Sequence, residues 1–252
     1  METNNKLRVI YGIHPVEELL EKRPESIDHV YFDSQKSSST LFSLMKQCKK
    51  MKISYSKAPE QKLQYLSKSK NHQGIVAQCS VKPYLSTDQL YQLLEKKSTP
   101  PILFLPASIE DPRNLGSLVR TCVGLGVDAM ILERKNTAPL SDTVAKTSAG
   151  MLEHLPVAKP RNCEGLIQDL VHKGFSVVGA DMHAEKVPSN VDFTKPVVII
   201  TGGESKGIPP YLLKLCTEMV RIPMTQQAQS FNVSVAGALL LYECIRQRGG
   251  VG

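Results

Sequence analysis

The chain has 252 residues and a mass of 27.8 kDa, with 41% hydrophobic and 22% charged residues and 16 Gly and 16 Pro; this balance excludes disordered, collagen-like and fibrous classes and allows one large domain or two modest ones. Its apolar runs, such as those at 102–105 and 197–200, are far shorter than the roughly 18 to 20 residues of a membrane-spanning helix. METNN at the start is not followed by the apolar core of a secretory signal, so the protein is expected in the cytoplasm with no membrane partner.

The formal net charge of +7 is unevenly placed: residues 1–82 carry 14 Lys/Arg against 8 Asp/Glu, a net of +6, and the remainder 17 against 16, a net of +1. From 46 to 82, nine lysines face a single acid, Glu60. Such a run either grips a polyanion, releasing its condensed counterions, or forms a solvated surface.

In chain order, the region 9–81 reads as a small α/β unit. Pro15 and the acids after it open a helix, residues 28–33 (DHVYFD) form a strand, and 41–51 form an amphipathic helix with apolar positions at 41, 44, 45, 48 and 51. Further strands are expected at 53–55 and 75–80, the latter after the polar turn Asn71-His72-Gln73-Gly74. Residues 83–101, with a short helical stretch at 87–97 and a Ser-Thr-Pro-Pro end, are expected to be a linker. Strands then follow at 102–105, 129–132, 176–179, 197–201 and 219–222. Helices are expected near 115–125, 141–152, 163–173, 210–216 and 233–247. Continuous Val/Ile runs separated by helices predict a parallel sheet covered on both faces. The six cysteines stand at least 28 residues apart, with no CxxC pair, and are expected as reduced, buried thiols rather than metal ligands.

Ligands of parallel α/β sheets sit at the carboxyl ends of the strands. Three loops there stand out: Asn114-Leu115-Gly116 to Arg120, Gly202-Gly203-Glu204-Ser205-Lys206-Gly207, and Ile222-Pro223 onward to Ser230-Phe231-Asn232-Val233-Ser234. Gly202-Gly203 permits close backbone approach to a ligand or is an ordinary β-to-α turn. Arg120, six residues and nearly two turns beyond Asn114, is read as sharing its helix face, either clamping a phosphate or forming a surface ion pair. His154 is a candidate base or a structural histidine. Gly124-Leu125-Gly126 lies between helix and strand, the wrong order for a dinucleotide fingerprint, and no Gly-Lys-Ser/Thr phosphate loop is present.

Together these motifs, with Ala138-Pro139-Leu140, Lys146 to Gly150 and Glu153-His154-Leu155-Pro156-Val157, resemble the SpoU family (SPOUT superfamily) of RNA 2'-O-ribose methyltransferases. Tyr11-Gly12-Ile13-His14-Pro15-Val16 and Asn71 to Gly74 resemble the ribosomal-protein-like RNA-binding domain of the branch that modifies a guanosine of large-subunit rRNA. The resemblance implies an RNA substrate-binding domain at 1–82, a linker at 83–101 and, at 102–252, a catalytic domain with a C-terminal trefoil knot. It also implies a homodimer and S-adenosylmethionine as cofactor, held by backbone at Gly202, Ile222 and Phe231, with Asn114, Arg120, Glu204, Ser230 and Asn232 around the target ribose. No metal is implied. Gln226 and Phe231 depart from the family pattern in the cofactor loop. The implied function is 2'-O-methylation of a guanosine in 23S-type rRNA. The alternatives are the same reaction on tRNA or another rRNA site, or a non-catalytic RNA-binding or assembly protein.

Overall fold

The structure is a computed structural model that describes residues 8–203, 207–225, 227 and 230–250. The chain divides into two compact units. The first comprises the chain up to Tyr84 together with Pro139–Asp142, and the second Leu85–Ala138 and the chain from Thr143.

The first unit contains β1 (Arg8–Tyr11), α1 (Ile13–Lys22), β2 (Ile27–Asp33), α2 (Ser39–Lys50), β3 (Tyr55–Ala58), α3 (Glu60–Ser67) and β4 (Ile75–Cys79). Its sheet has the order β1-β4-β2-β3, antiparallel except for the parallel pair β2 and β3. Alternation along the strands gives it two apolar faces. One packs Val30, Phe32, Ile75 and Ala77 against Val16, Leu19 and Leu20 of α1 and Leu41, Leu44 and Cys48 of α2. The other seats Leu63 of α3 on Val76 and Ala58. The strand expected at 53–55 begins at Tyr55 instead, and β1 and α3 are additions to the expected set. In α1 Pro15 stands at the third position, not the first.

The second unit contains α4 (Thr87–Glu95), β5 (Ile102–Pro106), α5 (Pro112–Gly124), β6 (Ala129–Ile131), α6 (Asp142–Thr147), β7 (Val157–Ala158), α7 (Cys163–His172), β8 (Ser176–Ala180), β9 (Val197–Thr201), α8 (Pro210–Leu213), β10 (Glu218–Val220) and α9 (Val233–Gln247). All six strands are parallel, in the order β10-β8-β9-β5-β6-β7. Both faces are covered, which is why β5 and β9 read as unbroken apolar runs. Leu103, Leu105, Val198 and Ile200 meet Leu90 of α4, Leu166, Ile167 and Leu170 of α7 and Leu212 of α8. Phe104, between Leu103 and Leu105 on β5, faces the side where α5 packs on α9. The stretch 83–101 thus holds a helix that contributes Leu90 to the core. The helix expected at 141–152 is interrupted: Ala149 (φ 51°) and Gly150 (φ 82°) turn left-handed, separating α6 from a short 3-10 turn at Met151–Glu153. The six cysteines are free thiols, four buried and two half-buried; burial raises Cys122 and pushes Cys163 up to about 12. Among the described residues no helix is long and apolar enough to cross a membrane and no cluster of His, Cys, Asp and Glu is arranged for a metal ion.

Candidate active site

Because the sheet is parallel, β8, β9 and β10 deliver their following residues to one edge: Asp181 and Met182 after β8, Gly202 and Gly203 after β9, Ile222 and Met224 after β10. With Ser230, Phe231 and the first turn of α9 they line a cavity of about 140 Å³. The floor beneath Gly202 is closely built. A Cβ on Gly202 would lie 2.3 Å from the carbonyl carbon of Gly207, whose N–H donates to Gly203 O at 3.3 Å. No side chain fits where these two strand-like segments pass, so glycine is required there for proximity. Thr201 O accepts from Ala107 N at 2.8 Å, tying the end of β9 to the loop after β5.

That loop leads into α5, started by Asp111, whose carboxylate accepts from Arg113 N at 2.7 Å, with Pro112 at the first helical position. Asn114 then meets α9: Asn232 Nδ2 donates to Asn114 Oδ1 at 3.2 Å. Asn232 is also the N-cap of α9. Its Oδ1 accepts from Ser234 N at 2.8 Å and from Ser234 Oγ at 2.6 Å. Those two donors fix which end of the amide is oxygen, since an amide nitrogen cannot accept them.

Four of the residues singled out in the sequence, Gly202, Ile222, Ser230 and Phe231, therefore line one cavity, and two more, Asn114 and Asn232, are joined to each other. Arg120 is exposed on α5. The shared helix face expected for Asn114 and Arg120 is corrected here: at about 100° per residue, six residues leave the two side chains about 120° apart. Glu204 and Gln226 lie outside the described residues. His154 is exposed and does not line the cavity.

Residues that sequence reasoning passed over include Asp181 and Met182. The signal was present, because the strand at 176–179 was expected and its carboxyl end is where a ligand loop belongs. Also passed over was Glu133, only 8% exposed, which follows β6. Its Oε2 accepts from Ser108 N at 2.9 Å, and its Oε1 accepts from the Tyr211 hydroxyl. One buried carboxylate thus joins the loop after β5, where Ser108 is left-handed at φ 51°, to α8 beyond Gly207. Burial first, then the bond to Glu133, raises the Tyr211 phenol well above its ordinary range.

Comparison with known proteins accords with this arrangement. Residues 101–242 match the SpoU rRNA Methylase family and residues 9–85 match the RNA 2'-O ribose methyltransferase substrate binding family. Over 204 residues the chain is 35% identical to the putative TrmH family tRNA/rRNA methyltransferase YacO of Bacillus subtilis, covering 81% of this chain and 82% of that protein. It is 31% identical over 244 residues to the 23S rRNA (guanosine-2'-O-)-methyltransferase RlmB of Pseudomonas putida, covering 97% and 98%. In fold it is similar to the SpoU methyltransferase AviRb of Streptomyces viridochromogenes crystallised with AdoMet, at 23% identity and a TM-score of 0.57, covering 95% of this chain and 90% of that one. The two matched segments, and relatives that align along nearly its whole length, lead to one conclusion: the chain belongs to the SpoU rRNA methylase family.

Proposed function

We propose that the protein transfers a methyl group from S-adenosylmethionine to the ribose 2'-hydroxyl of a guanosine in 23S-type rRNA, with residues 1–82 gripping the RNA, 83–101 leading into the second unit, whose core α4 joins, and 102–252 performing the transfer. The observation that carries this reading is the convergence of three loops on one edge of the parallel sheet: Gly202, Ile222 and Phe231 around a cavity, beside the joined amides of Asn114 and Asn232. The relatives named as guanosine-2'-O-methyltransferases of 23S rRNA support the choice of substrate. The cavity suits the cofactor. Its walls combine apolar side chains that an adenine can pack on, Val220, Ile222, Met224, Phe231 and Val233, with polar ones, Asp181, Thr201 and Ser230, that can hold hydroxyl and charged groups.

When bound, S-adenosylmethionine supplies a methyl group on a positively charged sulfur. The chain's part is to hold the 2'-oxygen in line and to favour loss of its proton. Asn232 is limited to donation, since its oxygen is occupied by Ser234, and its remaining Nδ2 hydrogen can support the developing alkoxide. Ser230 offers a hydroxyl at the cavity rim. Arg120, whose planar guanidinium can bond a phosphate bidentately, acts as a clamp on the target phosphate. Glu204 would orient Arg120 or a backbone amide.

The family resemblance also supports a homodimer and a knotted C-terminal segment. β9 is inserted between β8 and β5, and the chain then returns to β10 beyond β8. Val235, Leu239 and Tyr242 are 44%, 41% and 62% exposed along one side of α9, the apolar stripe a second copy would cover; sedimentation should give twice 27.8 kDa, and a single-chain mass would reject the dimer. The function is tested by incubating the protein with labelled cofactor and 23S rRNA lacking the modification, then mapping 2'-O-methylation. Label at one guanosine is expected, with Arg120→Ala slowed about 100-fold or more at unchanged cofactor affinity. Transfer to tRNA alone, or none to either RNA, would overturn the reading.

A further inference from the structure

One carboxylate in the cavity has no role in the function proposed above. Asp181 follows β8 directly. Its backbone N–H donates to Val220 O at 3.0 Å and its Oδ1 accepts from His183 N at 2.8 Å, so the side chain is anchored beside β10. It is half-buried and is the only charged residue among the described residues that line the cavity. Val220, Ile222, Met224, Phe231 and Val233 supply apolar lining of the same cavity. With Oδ1 bonded to His183 N and no described cation in an ion pair with the carboxylate, Oδ2 keeps acceptor capacity for hydrogen-bond donors of a ligand.

We propose that Asp181 accepts hydrogen bonds from the vicinal ribose hydroxyls of S-adenosylmethionine, making it the residue that selects an adenosine-bearing ligand for this cavity. The inference rests on the cofactor reading above. Three parts of that ligand compete for a carboxylate. The sulfonium has no proton to donate, and a carboxylate held against it would stabilise a cation that methyl transfer neutralises, which raises the barrier. The ammonium stands at the far end of the amino-acid chain. The ribose is bonded directly to the adenine that the apolar wall suits, and its two hydroxyls present paired donors to an acceptor-only group. The same chemistry places an acidic side chain on a ribose hydroxyl in doubly wound nucleotide-binding folds.

The test measures dissociation constants of the full-length protein and of Asp181→Asn for S-adenosylmethionine, adenosine and 2',3'-dideoxyadenosine by competition calorimetry. Wild-type protein should bind adenosine about tenfold or more tighter than the dideoxy analogue. Asp181→Asn should weaken S-adenosylmethionine and adenosine by the same factor and leave the dideoxy analogue unchanged. A variant that loses S-adenosylmethionine but not adenosine would assign Asp181 to the charged end of the ligand and overturn the proposal. So would wild-type protein that fails to distinguish adenosine from its dideoxy form, a comparison that stands even if the variant does not fold. If wild-type protein binds S-adenosylmethionine and Asp181→Asn binds all three ligands equally well, only the role of Asp181 falls. If wild-type protein binds no S-adenosylmethionine, the cofactor reading falls with it.

Discussion

Asn232 does two jobs with one amide, and the two can be separated. Its oxygen caps α9 through Ser234 while its nitrogen donates to Asn114. Asp is as good an N-cap as Asn, so Asn232→Asp should keep the helix start and leave the melting temperature nearly unchanged. It removes the donor and puts a negative charge where negative charge must develop. Methyl transfer should therefore fall by about 100-fold or more, read from initial rates on 23S rRNA; an unimpaired Asn232→Asp enzyme would show that the amide serves only as a cap. Tyr211 gives a second separable effect. Its phenol is raised above 10.0 in the folded chain, so the folded state favours the neutral form. That preference is fully present below about pH 10 and is lost as pH rises beyond it, because the unfolded chain gains from ionising first. In urea unfolding at pH 8 and pH 11, the stability gap between wild type and Tyr211→Phe should narrow at the higher pH; a constant gap would mean that burial and the Glu133 contact do not hold the proton on the phenol.

The elements show which physical signals were legible. The unbroken apolar runs of β5 and β9 and the amphipathic spacing of α2 are strong because burial on two faces, or on one stripe, leaves a periodic trace. β7 spans only Val157–Ala158, too short for any period, and its place is set by pairing with β6. α6 was expected to run on to 152 because the helical reading continues through Gly150, whose positive φ marks the helix end, and Ala149 itself gives no sign of its left-handed conformation. At the site, Gly202, Ile222, Ser230 and Phe231 were legible through the loops that carry them, whereas Asp181 and Glu133 are single carboxylates whose meaning depends on neighbours distant in the chain. Gly116 is an intermediate case, singled out as part of a motif but explained only by packing. A Cβ there would lie 2.6 Å from Thr147 Cβ and 3.0 Å from Val144 O, so α6 crosses α5 at a point with no room for a side chain. Gly116→Ala should gain up to about 1 kcal/mol of helix propensity and lose roughly 1 to 3 kcal/mol to overpacking. The net effect is expected to be destabilising, seen as a lowered melting temperature, and a rise would mean that α6 yields without cost.

At the scale of the whole molecule the charge and the chemistry are divided. The residues proposed for transfer lie in the near-neutral part of the chain, while residues 1–82 hold a net of +6. Of the nine lysines between 46 and 82, eight are exposed and Lys82 is half-buried. They project from more than one element: Lys46, Lys49 and Lys50 from α2, Lys62 from α3. Two of them cover aromatic rings, Lys46 over Phe42 and Lys62 over Tyr31, each 4.6 Å from the ring centre. Lys49 and Lys50 have no such engagement and stand at the carboxyl end of α2. If they meet phosphates, each releases close to one counterion on binding, so reversing both to Glu should weaken rRNA binding and reduce the slope of log affinity against log salt by about 1 to 2. The reversal of Lys173, which covers the Tyr91 ring at 5.1 Å, and Lys214, both exposed in the second unit, should change the slope by less. Filter binding of the full-length proteins across a range of salt measures both slopes. Equal slopes for wild type and the Lys49/Lys50 reversal would mean that this lysine run is a solvated surface and that RNA is gripped elsewhere.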